Sequence, residues 1–225
     1  MTKNVIWQAI NRLFLPVNCL GCGTEGEWIC RKCFSKLSPH LPVACTVCNK
    51  SGDNGLCQKC QKASRLDRVI ALFPYGEPTI QMLLKAARNN GNSDALRCYC
   101  EMFSKIYCRI LPNDGWTVSY IPISSERMKK RGFNQAEEIA RLLAGARYPV
   151  KNTLRKIKDT PTRGQQDKFV RHKDMEGSMH AIGKVPRKII LCDDIITTGS
   201  TLREAARALR RSGAKQIIAL TIASG

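Results

Sequence analysis

The sequence predicts an α/β fold, a parallel sheet flanked by helices, preceded by a small cysteine-rich domain. From residue 68 onward, apolar runs of strand length alternate with segments whose apolar residues recur at helical spacing. This alternation is typical of a parallel sheet with helices on both faces. Between residues 19 and 60, four cysteine pairs with a two-residue spacer follow one another, which indicates a metal-binding module. A chain of 225 residues is long enough for both parts.

The first segment, residues 1–18, predicts an amphipathic helix. Its apolar residues share one helical face, Asn11 and Arg12 lie on the other, and Pro16 ends the pattern. The apolar run is too broken for the core of a secretory signal and too short to span a bilayer. We therefore expect a cytoplasmic protein with no transmembrane segment, in which this helix docks on the rest of the chain. The alternative is a role for the helix at a membrane surface.

The second segment, residues 19–62, predicts a double zinc ribbon. Each Cys-x-x-Cys pair can place two thiolates on one tetrahedral ion, and two ions would supply the folding energy that so small a module lacks. Disulfides are the alternative, and the lack of an export signal disfavours them. Sequential and interleaved pairing both fit the spacing. The predicted structural zinc ligands are Cys19, Cys22, Cys30, Cys33, Cys45, Cys48, Cys57 and Cys60.

The third segment, residues 66–225, follows a polar linker predicted at residues 61–65. Strands are predicted at residues 68–75, 117–123, 188–192 and 215–223, and helices at 79–88, 94–110, 134–146 and from 202 to about 211. The four cysteines of this segment lack the paired spacing. We predict that Cys98, Cys100, Cys108 and Cys192 are small, buried apolar side chains.

Residues 188–201 are the most informative stretch of the chain. An apolar run predicts an interior parallel strand, which ends in the acid pair Asp193 and Asp194. The next residues lead into a helix, so they offer backbone N–H groups and the positive end of the helix dipole to an anion. Hydroxyl side chains and a glycine complete a predicted phosphate cradle, formed by Thr197, Thr198, Gly199, Ser200 and Thr201. The acids suit the hydroxyls of a neighbouring sugar; the alternative is an acid pair that caps a helix.

A basic segment, residues 124–135, follows the predicted strand at 117–123. Its cations, Arg127, Lys129, Lys130 and Arg131, precede a glycine and the start of a helix. Because the carboxyl ends of parallel strands share one edge of the sheet, this segment is predicted to hold a diphosphate close to the phosphate cradle. The alternative is a solvated patch of charge.

A second basic segment, residues 155–171, has no apolar periodicity. Loops of this length inside compact domains are usually functional lids or disordered. We expect it to act either as a lid over a reacting carbon or as a guide for a nucleic-acid backbone.

The run from Leu191 to Thr201 resembles the phosphoribosyl pyrophosphate (PRPP) motif of the type I phosphoribosyltransferases, with an apolar strand, two acids and Thr-Thr-Gly-x-Thr. The resemblance implies a type I phosphoribosyltransferase fold. It also implies that Asp193 and Asp194 hold the ribose hydroxyls and that residues 197–201 hold the 5′-phosphate. By the same resemblance, the cations of the basic segment, together with a magnesium ion, take the leaving diphosphate.

Nearly the whole chain is similar to the ComF family. The similarity rests on the cysteine-rich start, Arg-Gly-Phe-Asn-Gln at 131–135, Asp-Thr-Pro at 159–161 and the PRPP motif near the end. The chain departs from the family's loop pattern at residues 162–166 and 171–174. The resemblance implies a role in DNA uptake, competence and natural transformation, with a competence helicase or channel as a partner.

Composition adds a strong positive charge. Thirty-seven basic residues against eighteen acidic ones give a formal charge of +19, which favours phosphorylated small molecules or nucleic acid as partners. Three hypotheses follow: a phosphoribosyltransferase of unknown acceptor, a factor that handles single-stranded DNA, and a PRPP-responsive adaptor without chemistry. An aromatic content of 6% argues against an extensive surface for base stacking.

Overall fold

The computed structural model describes residues 17–39, 41–89, 93–113, 115–157 and 177–225. Its strands are β1 (Arg68–Pro74), β2 (Thr117–Tyr120), β3 (Leu154–Lys156), β4 (Met179–Ala181), β5 (Lys188–Ile196) and β6 (Gln216–Ser224). Its helices are α1 (Arg31–Phe34), α2 (Gln58–Ser64), α3 (Pro78–Asn89), α4 (Ser93–Ile110), α5 (Ser125–Arg131), α6 (Gln135–Ala144) and α7 (Ser200–Arg211).

Four strands form a parallel sheet in the order β1–β6–β5–β2. Ile189, Ile190, Leu191 and Cys192 of β5 are completely buried, because this strand has a neighbour on each side and helices pack on the sheet. The prediction of a parallel sheet flanked by helices is confirmed. The order places the carboxyl ends of β5 and β2 side by side, where open α/β sheets bind their ligands.

The cysteine-rich segment packs against one edge of this sheet. The ring of Phe34 in α1 lies 5.3 Å from that of Phe103 in α4, and Phe103 lies 5.1 Å from Phe73 in β1. On the second half of the segment, the backbone N–H of Val69 in β1 donates to the carbonyl of Asn54. The segment thus covers the outer edge of β1, which would otherwise present unpaired backbone groups.

Three predictions of secondary structure are wrong. Helix α2 occupies most of the predicted linker at residues 61–65, because Cys57 caps its start and Arg65 ends it in the left-handed conformation. The basic segment is not a loop: residues 125–131 form α5, capped by Ser124 and ended by Gly132. Residues 155 and 156, assigned to a long loop, belong to β3, which pairs antiparallel with β4.

Two predictions fall on residues outside the described ranges. The predicted lid falls there from residue 158 to residue 171. The predicted amphipathic helix falls there from residue 1 to residue 16, whereas Asn18, at its predicted end, pairs with Glu25 of the cysteine-rich segment. Among the helices that the structure describes, none has the length and hydropathy needed to cross a bilayer. The division of the chain at residues 62 and 66 stays a prediction.

Candidate functional site

The loop between β5 and α7, residues 197–199, has the backbone of an anion cradle. Because this loop carries the predicted phosphate cradle, we call it the phosphate loop. Gly199 adopts a left-handed conformation (φ 68°) and is the N-cap of the 12-residue helix α7, and having no side chain it does not cap the helix itself. The N–H of Ser200 donates to the hydroxyl of Thr198 at 3.5 Å. The hydroxyls of Thr198 and Ser200 lie 2.9 Å apart and face each other across the glycine. Backbone donors, a helix dipole and paired hydroxyls therefore meet at one point, which is the arrangement that binds a phosphate.

The acid pair lies near the carboxyl end of β5, just before this loop. Asp193 and Asp194 are half-buried members of β5, and a side-chain oxygen of Asp193 accepts from the backbone N–H of Asp194 at 2.9 Å. The neighbouring Cys192 is completely buried, and burial raises the pKa of its thiol. Since that thiol stays protonated, Cys192 is packing beneath the acids and not a nucleophile.

Arg88 holds the second acid in place. Its Nε and Nη2 donate to the same Oδ2 of Asp194 at 2.8 and 2.5 Å. Both side chains are largely shielded from solvent, with 20% of Arg88 and 15% of Asp194 exposed. The sequence alone predicts no role for Arg88 in the site. The only local signal is a cation in the last turn of α3, ahead of a stretch of sequence rich in asparagine.

Replacing Arg88 with methionine should lower the free energy of unfolding by about 1.5–3 kcal/mol, because a shielded carboxylate loses a charged hydrogen-bond partner. The matched control is Arg141→Met, which breaks an Arg–Glu pair whose arginine is 59% exposed. That change should cost at most about 0.5 kcal/mol. Urea unfolding measures both, and equal losses would show that the Arg88–Asp194 pair is no more than a surface ion pair.

The basic helix α5 stands beside the acid pair. Tyr120 at the end of β2 pairs with Cys192, and the N–H of Ile121 donates to the carbonyl of Cys192. The chain then turns into α5 within a few residues. At the other end of the helix, Asn134 donates to the carbonyl of Ile121 at 2.9 Å and caps α6, which ties the basic segment to the end of β2.

The predicted diphosphate cations are placed unequally. Lys129 is exposed, whereas Arg127 and Arg131 are partly shielded, and the side chain of Lys130 lies outside the described set. Arg131 donates to the Gln135 side chain at 3.4 Å, and Gln135 donates to the carbonyl of Ala87, the residue before Arg88. The structure therefore links the basic segment to the arginine that grips Asp194.

The cysteine-rich segment also reaches the phosphate loop. A methyl group on Gly199 would lie 3.1 Å from Cγ2 of Val47, a residue between two of the paired cysteines. Nearby, Gly55 leaves no room for a side chain, because a methyl group there would lie 2.6 Å from the carbonyl oxygen of Val69 in β1. This contact could not be predicted from the sequence, since nothing local to Val47 indicates what its side chain touches.

The eight paired cysteines form two groups of four. Cys19, Cys22, Cys30 and Cys33 make one tetrad, and Cys45, Cys48, Cys57 and Cys60 make the other, with the sulfurs of each within 4.8 Å of one another. The chain path therefore selects the sequential pairing over the interleaved one. Each tetrad could hold one metal ion.

Sulfur geometry supports zinc in both tetrads. Four thiolates about 2.3 Å from a tetrahedral ion stand about 3.8 Å apart. The sulfurs of Cys22 and Cys30 lie 3.7 Å apart. The sulfur of Cys48 lies 3.6 Å from the sulfur of Cys57 and 3.6 Å from that of Cys60. The backbone N–H of Cys30 also donates to the Cys19 sulfur at 3.3 Å, and hydrogen bonds of this kind orient the ligands of a metal ion.

The other four cysteines are not uniformly buried as predicted. Cys100 and Cys192 are buried, Cys98 is partly exposed, and Cys108 is exposed. Cys108 lies just beyond the stripe of buried residues on α4, which consists of Ala95, Leu96, Tyr99, Cys100, Phe103 and Tyr107. The prediction for Cys108 is therefore wrong, because the helical periodicity places this residue outside the buried face of α4.

Comparison with known proteins shows similarity to a domain family and to several bacterial proteins. A model of the phosphoribosyl transferase domain matches residues 128–225, which include the basic segment from Met128 onward, the acid pair and the phosphate loop. "Competence protein ComFC" of Bacillus subtilis is 25% identical over 94% of this chain and 86% of its own length. "DNA utilization protein YhgH" of Salmonella typhi is 26% identical over 84% of this chain and 87% of its own. "Competence protein F" of Haemophilus influenzae is 34% identical over 43% of this chain and 45% of its own.

Proposed function

Because this chain belongs to the ComF family, we propose that its phosphoribosyltransferase-type domain binds PRPP or another phosphorylated ribose. The observation that carries the proposal is the loop after β5. A helix N-terminus, a left-handed glycine and facing hydroxyls follow two carboxylates along the chain. A phosphate and a sugar diol joined in one molecule fit that sequence of groups.

Each group has a distinct part in the proposed binding. The N–H groups and hydroxyls of residues 197–201 hold the 5′-phosphate, and Asp193 and Asp194 accept hydrogen bonds from the ribose hydroxyls. Arg88 orients the carboxylate of Asp194, since it donates twice to one of its oxygens. The predicted diphosphate ligands of the basic segment, Arg127, Lys129, Lys130 and Arg131, supply positive charge for the diphosphate.

We propose phosphoribosyl transfer as the reaction. The bond between the anomeric carbon and the diphosphate oxygen breaks, and a bond from that carbon to the acceptor forms. Negative charge grows on the departing diphosphate, where the cations of α5 stabilise it, and positive charge grows on the ribose, close to the two carboxylates. Magnesium bound with PRPP supplies further charge neutralisation of the diphosphate.

The relatives connect the chain to DNA. Their names refer to competence and to DNA utilization, and the net charge of +19 suits a polyanionic partner. We therefore propose a role in DNA uptake, with single-stranded DNA and a competence helicase or channel among the partners. In the alternative proposal, the chain has no chemistry, and the phosphoribosyl site senses or anchors a ligand while the protein handles single-stranded DNA or acts as an adaptor.

Calorimetric titration of PRPP with magnesium tests the proposal. The wild type should bind in the micromolar range, and the double variant Asp193→Ala, Asp194→Ala should lose at least about 2.7 kcal/mol, a hundredfold in affinity. A matched control, Glu27→Ala with Glu101→Ala, removes two exposed carboxylates outside the site and should bind as the wild type does. If the wild type shows no binding, or the acid pair and its control behave alike, the proposed ligand is wrong.

A further inference from the structure

A basic cleft lies between the cysteine-rich segment and the far end of α7. It has a volume of about 640 Å³. Five of its eight lining residues are cations and one is an acid. The lining consists of Gln61, Lys62, Arg65, Leu66, Asp67, Arg207, Arg210 and Arg211.

Arg210 builds the floor of the cleft. Its Nη2 donates to Asp67 at 2.7 Å, its Nε to the carbonyl of Arg65 at 3.1 Å, and its Nη1 to the carbonyl of Lys215. Asp67 also accepts from the backbone N–H of Ile217 at 2.6 Å. The single acid of the cleft is thus paired with Arg210, although 45% of its side chain is exposed. The other four cations give the cleft its net positive charge.

The cations at the mouth are held at fixed spacing by two helices. Lys62 lies in α2 and Arg65 directly follows it, whereas Arg207 and Arg211 lie in the last turns of α7. Arg207 has a loose ion pair with Glu204, at 3.7 Å. Lys62, Arg65 and Arg211 are exposed, so their charges face the solvent that fills the cleft.

The cleft is separate from the proposed phosphoribosyl site. That site lies at the N-terminus of α7 and the cleft at its C-terminus, 12 residues away, which corresponds to about 18 Å. One PRPP molecule cannot reach from the phosphate loop to Arg211. The ligand of the cleft is therefore a different anion or a longer one.

The lining indicates which atoms of that anion are recognised. It includes no aromatic side chain, so bases have no surface on which to stack. Trp28, Phe34 and Trp116 do not form such a surface elsewhere in the described part of the chain: Phe34 packs on Phe103, Trp116 is buried, and Trp28 packs against the core. Guanidinium and ammonium groups with no stacking partner bind phosphates.

We propose that this cleft holds consecutive backbone phosphates of single-stranded nucleic acid. A flexible strand can enter a recessed groove, whereas a duplex is stiff and presents its phosphates on a convex surface. The inference deepens the DNA-handling part of the proposed function and does not depend on PRPP binding. It places the nucleic acid along the zinc-ribbon side of α7, away from the phosphate loop.

Anisotropy of a labelled oligodeoxythymidylate, measured over a range of salt concentrations, tests the inference. The variant Lys62→Gln, Arg65→Gln, Arg211→Gln should lower the slope of log affinity against log salt by about 2, because each phosphate contact on a single strand contributes about 0.7. The control Lys105→Gln, Arg109→Gln, Lys151→Gln removes the same charge from exposed positions elsewhere and should change the slope by less than about 1. An unlabelled duplex of the same length should compete poorly.

Several results would overturn the inference: no binding by the wild type, equal losses in the cleft variant and its control, or equal competition by the duplex. Arg211→Glu guards against misfolding of the triple variant, since it changes one exposed side chain and leaves Arg210 in place. This single change should also weaken binding, and wild-type affinity in it would contradict the assignment. Cleft-dependent DNA binding without PRPP binding would refute only the proposed phosphoribosyl ligand.

Discussion

Cys48→Ser should remove one equivalent of zinc, unfold the second cysteine tetrad and greatly weaken PRPP binding. A structural zinc site contributes about 10–16 kcal/mol of apparent binding free energy in isolated peptides, and a small module has little core to replace it. Here the tetrad also supports the functional site, because Val47, next to Cys48, packs against Gly199 of the phosphate loop. Unfolding of the second tetrad should therefore remove the contact between Val47 and the phosphate loop.

Two matched substitutions separate these effects. Cys108→Ser changes an exposed cysteine outside both tetrads and should keep two zinc ions and full PRPP affinity. Cys22→Ser should lose one zinc ion from the first tetrad but retain most PRPP affinity, because that tetrad lies against the start of α3, near Thr79, and not against the loop. Zinc analysis of purified protein and calorimetry measure both properties. Two zinc ions in Cys48→Ser, or equal PRPP losses in all three variants, would contradict the proposed role of the second tetrad.

Gly199→Ala should raise the dissociation constant for PRPP by about 10- to 100-fold. A side chain in the left-handed conformation costs about 1–2 kcal/mol, and the new methyl group would lie 3.1 Å from Val47, so the loop must move. Each 1.4 kcal/mol of lost binding free energy is tenfold in affinity. The methyl group also obstructs the close approach of backbone and phosphate.

Gly183→Ala is the control for Gly199→Ala. Gly183 has a similar φ of 62°, and a methyl group there meets nothing within 4 Å. Both variants should lose comparable conformational stability from the backbone, but only Gly199→Ala should lose PRPP affinity. Adding Val47→Ala to Gly199→Ala should recover part of the stability. Equal PRPP affinities in the two glycine variants would show that the loop is not the phosphate site.

The features that the sequence predicted correctly are local ones. Ile189 to Cys192 form an uninterrupted apolar run, and its burial in β5 follows from that pattern alone. The glycine and hydroxyl residues before α7 likewise indicate a helix start without help from the rest of the chain. Helix α5 is also a local feature, but it was not predicted. Its run of cations was interpreted as a loop, although Gly132 is a stop signal for a helix.

The features that the sequence could not reveal depend on contacts between distant residues. Arg88 and Asp194 are 106 residues apart in the chain, and their pairing depends on how α3 packs beside the sheet. Val47 reaches Gly199 because the second tetrad docks on β1. The grouping of the cysteine pairs into tetrads also depends on distant contacts. All four pairs have the same two-residue spacing, and only the path of the chain brings two pairs together.

Amide hydrogen exchange on the wild type, with and without PRPP and magnesium, tests the central claim most directly. The amides of residues 199–201 stand at the N-terminus of α7, so a 5′-phosphate bound there should slow their exchange. Ribose 5-phosphate, which lacks the diphosphate, should protect the same amides but not residues 127–131. Binding of PRPP without protection of residues 199–201 would contradict the assignment of the phosphate loop.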